Sequence, residues 1–285
     1  MNKIGIDIFD TEISAASVDY NSARPVITQL DNPANVKNLD ENFLSGSNPI
    51  FSVKDENVIV KQINISSQND PLNLKIQFEL KSSLLEDESE FLFSSHETTL
   101  NNLQLGYIIR KNNLPKIQEF LQTDENLESN ISYRCRALAL GKGYQKFYFQ
   151  EPGELICLAD FASASGSYYA SLCFMYHNKI ISTTYFKFQE ADSSTTNPVQ
   201  KMITEFKMTI NYHLSSIFEL GITVPLAAIV LSGKRINDDL QEKFQNQIKT
   251  AITRPRINPG FLSKSLRNQM PVSDCFLTAL GLTID

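Results

Sequence analysis

The sequence is short of the features that would place it in several large classes. Its four cysteines, Cys135, Cys157, Cys173 and Cys275, form no CxxC pair, which removes zinc ribbons and thioredoxin-like exchange. Three of them stand among apolar residues, as buried reduced thiols do. The three histidines, His96, His177 and His213, are far apart and lack ligand spacing such as HxxxH, so they define no metal site; His213 falls on an apolar helical face and reads as packing. Long apolar runs are missing too. The longest clean one, near Val224 to Leu231, is far too short to cross a bilayer, and the N-terminus opens as a strand and not as a basic, apolar signal segment. These absences predict a cytoplasmic protein with no direct membrane insertion. Basic charge is not in excess: 26 Lys and Arg against 32 Asp and Glu give a formal net charge of -6, which argues against general affinity for nucleic acid. Gly141-Lys142-Gly143 lacks the frame of a phosphate loop and reads as a turn. No Ser/His/Asp set and no nucleophile elbow can be named.

What is present is a chain of 285 residues, long enough for a sizeable core and two lobes. Strand patterns cover Lys3–Ile8, Ile13–Tyr20 and Pro25–Leu30, with Asn21-Ser22-Ala23-Arg24 as a turn. A polar, irregular stretch from Asn32 to Pro49 follows, and strand pattern returns over Ile50–Ser66. After Asp70-Pro71, a helix start, Leu72–Leu85 takes helical spacing. Glu90–His96 and Leu103–Arg110 read as strands. A second helix opens at Asn112-Asn113-Leu114-Pro115, with Leu114, Ile117, Phe120 and Leu121 on one face. Residues 71–125 therefore form a helix–strand–strand–helix insert.

Tyr133–Leu140 reads as a helix stopped by Gly141, and Phe147-Tyr148-Phe149 as a strand. Leu155–Asp160, a Ser-rich turn, Tyr168–Tyr176 and Lys179–Phe188 are strands, and Glu190–Asn197 is a polar linker. The clearest helix is Lys201–Leu220, where Ile203, Phe206, Ile210, Leu214, Ile217 and Phe218 keep helical spacing. Val224–Leu231 is a buried strand, Asp238–Ile252 a helix, and Cys275–Leu282 a short apolar helix.

Two of these segments echo each other. Lys3-Ile4-Gly5-Ile6-Asp7-Ile8 and Leu155-Ile156-Cys157-Leu158-Ala159-Asp160 are each an apolar strand with an Asp near its end, a polar turn and a second strand. The order of elements, with Gly5-Ile6-Asp7-Ile8, Leu158-Ala159-Asp160 and Ile229-Val230-Leu231-Ser232-Gly233, resembles the actin-like ATPase superfamily. The position of the insert, and Ala279-Leu280-Gly281-Leu282 near the end, resemble the PilM-like proteins of type IV pilus assembly. The resemblance implies an α/β, actin-like, duplicated ribonuclease-H-like fold of two lobes, 1–154 with the 71–125 insert and 155–285. The second lobe is reduced, because only Gln189–Pro198 spans the place of the usual helical subdomain.

The resemblance also implies a nucleotide site, and the turns depart from it. A phosphate-gripping turn presents backbone N–H groups and needs glycine for room. Phe9 takes the glycine position of the first turn, and Asp10 and Glu12 add negative charge where phosphate would lie. The second turn, Asp160 to Ser167, has Ala162 for the expected glycine and reads as longer than usual. Gly233 remains, but Lys234-Arg235 replace the glycines on which adenosine would rest; their side chains would meet an anion or be solvated. By resemblance, the remnant site would comprise Asp7, Thr11, Asp160, Ser163, Ser165, Gly166 and Gly233, with Asp7 and Asp160 holding Mg²⁺ if Mg-ATP binds. The alternative reading of each Asp is a strand-end residue that fixes its own turn.

Two functions follow. One is a non-catalytic scaffold of a pilus or type II-like secretion platform, a pseudo-ATPase with no cofactor. By resemblance it would recruit the cytoplasmic tail of a PilN-like single-pass membrane protein between the first lobe and the insert, with Ile50–Ile65 and Leu72–Leu84 as walls. It would then be peripheral at the inner membrane through that partner, with self-association left open. The other is a weak Mg-ATP-binding actin-like ATPase.

Overall fold

The structure, a computed structural model, describes residues 2–33, 49–64, 79–82, 84, 87–98, 103–115, 131–164, 166–189, 197–269 and 274–285. It contains the duplication at the level of sheets. Strands β1 (Asn2–Phe9), β2 (Glu12–Asp19), β3 (Val26–Asp31), β4 (Pro49–Val53) and β8 (Ser132–Cys135) form one sheet in the order β3-β2-β1-β4-β8. Strands β9 (Leu155–Ala164), β10 (Ser167–Tyr176), β11 (Lys179–Gln189), β12 (Leu226–Ser232) and β13 (Ala251–Thr253) form the other, in the order β11-β10-β9-β12-β13. In each, the first three strands by sequence run antiparallel and the last two join in parallel.

The period-2 alternation of a strand sends neighbouring side chains to opposite faces, and both hairpins use it alike. In β1, Ile4, Ile6 and Ile8 pack on the outer face with Ile13 and Ala15, which leaves Gly5, Asp7 and Phe9 facing inward. In β9, Leu155, Cys157, Ala159 and Phe161 pack outward, while Ile156 and Leu158 point to the central core, so Asp160 and Ala162 face inward too. Register completes the match: Asp7 lies opposite Ser14, and Asp160 opposite Ser171.

Two helices fill the space between the sheets. Helix α1 (Arg136–Phe147) contributes Ala137, Leu138, Leu140, Tyr144 and Phe147 to the central core, and the C-terminal helix α5 (Leu277–Leu282) contributes Leu277, Ala279 and Leu280. The outer face of the second sheet is covered by α2 (Pro198–Glu219), through Met202, Ile203, Phe206, Ile210 and Ile217, and by α3 (Asp238–Gln247), through Leu240 and Phe244. Asn197 and Asn237 cap these helices by accepting from the amides of Gln200 and Leu240. A short α4 spans Lys264–Arg267.

A third, antiparallel sheet orders β5 (Val58–Asn64), β7 (Leu103–Arg110) and β6 (Phe91–Glu97) as β5-β7-β6. One face packs Leu105 and Tyr107 into the central core, and the other clusters Ile63, Leu80 and Ile108. The Thr183 hydroxyl of β11 donates to the Tyr107 hydroxyl at 3.3 Å, so this sheet also touches the second lobe.

Several sequence expectations change here. Gly141 does not stop a helix, and Gly141-Lys142-Gly143 is no turn: α1 runs through both glycines, and residues from Tyr133 to Cys135 belong to β8. The glycines are there for clearance. A Cβ on Gly143 would lie 2.2 Å from the Leu277 carbonyl oxygen, and one on Gly141 would lie 2.6 Å from Cys173 Sγ. Phe147 ends α1 and does not begin a strand; only Tyr148 bridges, to Ile257. The second turn is not long, because β9 continues to Ala164 and pairs there with Ser167, placing Asp160 inside the strand. The stretch Ile50–Ser66 divides at a 3-10 turn, Asp55–Asn57, and its second half joins the small sheet. The helix expected over Asp238–Ile252 ends at Gln247, and Ala251–Thr253 is a strand. The helix over Leu72–Leu85 is seen only at its end, residues 79–81. Ile117, Phe120 and Leu121, and nearly all of the polar stretches Asn32–Pro49 and Glu190–Asn197, lie outside the described residues.

Candidate functional site in the cleft between the lobes

Asp7 and Asp160 are brought together, and a guanidinium stands between them. Arg136, the first residue of α1, is 3% exposed. Its Nε donates to Asp7 Oδ1 at 3.0 Å and Oδ2 at 3.2 Å, and its Nη2 to Asp7 Oδ2 at 3.1 Å and Asp160 Oδ2 at 2.6 Å. Nη1 donates to the Asp160 carbonyl at 3.2 Å and to Ser171 Oγ at 2.7 Å. The ion is thus shared between one carboxylate from each lobe. The remaining valences of Asp160 are met by Ser232 Oγ at 2.9 Å and Thr278 Oγ1 at 2.7 Å.

Behind this pair lies a third buried acid, Asp55, on the 3-10 turn after β4. It accepts from the Ala137 amide at 2.7 Å and from Cys135 Sγ at 3.2 Å, and on its other oxygen from Ser171 Oγ at 2.5 Å and the Tyr169 hydroxyl at 3.3 Å. Helix α1 has no side-chain cap of its own at Cys135. Asp55 supplies that cap from a distant part of the chain, at the positive end of the helix dipole.

The electrostatics follow from burial. Desolvation raises the carboxyls of Asp55 and Asp160 above the ordinary value; the hydroxyls of Ser171, Thr278 and Ser232 and the charge of Arg136 oppose the rise. Burial alone would lower the Arg136 guanidinium, but Asp7 and Asp160 outweigh it and push it up. Arg136 is therefore a permanent cation with almost no exposed surface.

Phe9 closes the mouth of the cleft. Its ring lies with Ala162 and Tyr169 of the opposite lobe, with Lys54 Nζ 4.5 Å and Arg136 Cζ 5.5 Å from its centroid. Both charges fall within cation–π range. The cavity left among Asp7, Phe9, Arg136, Asp160, Gly233 and Lys234 is ≈ 10 Å³, room for about one water, where small-molecule pockets run to about 300 Å³ or more.

The other sequence-predicted residues disperse around this cluster. Thr11 sits in the exposed two-residue turn of the first hairpin, beside Asp10, whose φ is +50°. Asp10 is paired with Lys54, and Glu12 with Arg235 at 3.4 Å. The acidic charge of the turn is thus met by basic groups, one of them from the far lobe. Lys234 is likewise engaged, donating to the Ile13 carbonyl at 2.7 Å. Ser163 lies near the end of β9 and Gly166 in its exposed turn, while Ser165 is outside the described residues. Gly233 borders the cleft with φ +108°, and a Cβ there would lie 2.0 Å from the Phe161 carbonyl oxygen, so both conformation and space require glycine.

Sequence reading missed Arg136, Asp55, Ser171, Ser232 and Thr278. For Arg136 a signal existed: an arginine opens the apolar run Ala137-Leu138-Ala139-Leu140, and a charge on a buried helix face needs partners. Nothing local marks Asp55 as buried.

No family model matches the sequence, and no curated protein does either. Solved structures do. A chain of a PilM–PilN type IV pilus biogenesis complex aligns over 99% of this chain and 97% of its own, with 11% identity and a TM-score of 0.59. A protein of Bacteroides thetaiotaomicron with an actin-like ATPase fold and unknown function aligns over 100% of this chain and 96% of its own, with 11% identity and a TM-score of 0.51. The fold is therefore actin-like, as the duplicated sheets indicate.

Proposed function

We propose that this chain is a non-catalytic, actin-like scaffold of a pilus or secretion platform, recruiting the cytoplasmic tail of a PilN-like membrane protein. The observation that carries the first half is the filled cleft. Catalysis on a nucleotide needs an open cradle for phosphate, and here Phe9, Arg136 and paired acids occupy that volume. The two-lobed frame is kept, while the space among Asp7, Phe9, Arg136, Asp160 and Gly233 has room for about one water.

The second half is supported by the likeness to a chain from a PilM–PilN complex and by the small sheet. In that sheet β5 is an edge strand, and among the described residues nothing pairs with its outer side. Ile59 on it is 51% exposed. An extended tail can add to such an edge through main-chain hydrogen bonds, with apolar side chains giving specificity. No helix of the described residues is long and apolar enough to cross a membrane; in the scaffold reading, attachment at the inner membrane runs through the partner, from the cytoplasmic side.

The test is a calorimetric titration of the full chain with a synthetic PilN-like cytoplasmic tail. Binding at about micromolar or tighter supports the scaffold; a silent titration at higher concentration sinks it. The competing ATPase reading keeps one observation in its favour, the facing of Asp7 and Asp160. Mg-ATP affinity abolished by Asp160→Ala would establish that reading, and a silent Mg-ATP titration is expected.

A further inference from the structure

Five oxygen atoms converge on the Arg136 guanidinium: both Asp7 Oδ atoms, Asp160 Oδ2, the Asp160 carbonyl and Ser171 Oγ, at 2.6 to 3.2 Å. An all-oxygen set with two carboxylates is what a hard divalent cation takes. Mg²⁺ does not fit there in this chain, because the guanidinium fills the centre of the set and a second cation beside it would meet like charge. Nor is Arg136 placed to swing aside. It is buried, the Phe9 ring lies 5.5 Å from its Cζ, and leaving would strand buried carboxylates without a counter-ion.

We propose that Arg136 is the resident cation of this cleft: a tethered guanidinium takes the place of a divalent ion between Asp7 and Asp160 and latches the two lobes with no ligand. Its position on α1 suits the role. That helix packs into the core shared by both sheets, so one side chain reaches a carboxylate of each lobe. Ser171 carries the link onward by donating to Asp55, which holds the start of the same helix. The latch rests on the reading of the cleft as non-catalytic, but it fails separately. Loss of tail binding refutes the scaffold and leaves the latch standing, whereas the metal titration below tests the latch alone.

The experiment is a Mn²⁺ titration of the full chain, followed by electron paramagnetic resonance and by thermal melting. Wild type should take up no Mn²⁺ in the cleft. Arg136→Ala, which vacates the oxygen set, should bind about one Mn²⁺ per chain, and saturating Mn²⁺ should raise its Tm by about 5 °C through mass action. Both effects should vanish when Asp160→Asn is added. Arg136→Lys, which keeps a cation, should exclude Mn²⁺. If Arg136→Ala is unfolded alone, Mn²⁺ should restore its circular dichroism and its melting transition. Stoichiometric Mn²⁺ binding by wild type that is lost in Asp160→Asn overturns the proposal. So does an Arg136→Ala chain that takes up no Mn²⁺ when folded, or stays unfolded in its presence.

Discussion

The ring of Phe9, from the first hairpin, lies 4.5 Å from the ring of Tyr169, from the second, with 38° between their planes. Tilted aromatic pairs at this spacing add to the burial of the rings themselves. The contact joins the two hairpins across the cleft. Phe9→Ala should therefore destabilise the chain, by about 3 kcal/mol for a buried aromatic truncated in place. Urea denaturation checks this, and an unshifted midpoint would show that the ring carries no weight between the lobes. The same variant should remain silent to Mg-ATP, because Arg136 still holds both aspartates.

The charge cluster predicts an asymmetry between its members. Arg136→Ala leaves buried carboxylates with no counter-ion and should cost about 3–5 kcal/mol. Asp160→Asn should cost clearly less. Asn keeps an oxygen that can accept from Thr278 or Ser232, and burial already disfavours the charged form of Asp160. Equal losses in chemical denaturation would mean that the ion pair, and not the unpaired acids, sets the energy.

Much of the fold was legible because local pattern and tertiary role coincide. The isoleucines of β1 and the helical spacing from Ile203 to Ile217 each announce one face, and the structure buries that face. The echo of Asp7 and Asp160 likewise marked two matching strand positions. What stayed hidden depends on partners distant in sequence. Gly141 and Gly143 look like helix breakers until the Cys173 side chain and the Leu277 carbonyl are placed against them, because propensity cannot see a close neighbour. Asp55 looks like a loop acid until Ala137, 82 residues later, donates to it. Arg136 was the one hidden residue whose context could have exposed it, as a charge facing a core.

Gly143 gives a test in which the usual sign reverses. Replacing a mid-helix glycine by alanine ordinarily stabilises by about 0.5–1 kcal/mol. Here the added methyl would lie 2.2 Å from the Leu277 carbonyl oxygen and 3.0 Å from the Gly281 amide nitrogen. Both are backbone, so α1 and α5 would have to separate along the central core. Gly143→Ala should lower Tm, and a raised Tm would show that the two helices are not in the close contact described.

A pH dependence can be assigned to His96 on β6. Its imidazole is lowered from 6.5 to about 4, first by burial and then by the nearby charges of Lys142 and Arg134. The groove around it also holds Glu97, Lys146, Lys179 and Asp285. The folded state therefore prefers the neutral ring. Above pH 6.5 the ring is neutral in both states and its contribution to stability is whole. As pH falls from 6.5 towards 4, the unfolded chain takes up the proton first and the contribution is lost. The loss should reach about 1–2 kcal/mol, discounted because the ring is partly open to solvent. Asp55 and Asp160 work in the opposite direction: their raised values favour the folded state below pH 3.8, and that contribution is lost as pH rises through their folded values. The raw pH profile mixes these terms, so the measurement is the difference between wild type and His96→Gln. Wild type should lose stability relative to His96→Gln as pH falls from 6.5 to 4, because only wild type loses the term; two parallel curves would place His96 in water and refute the assignment.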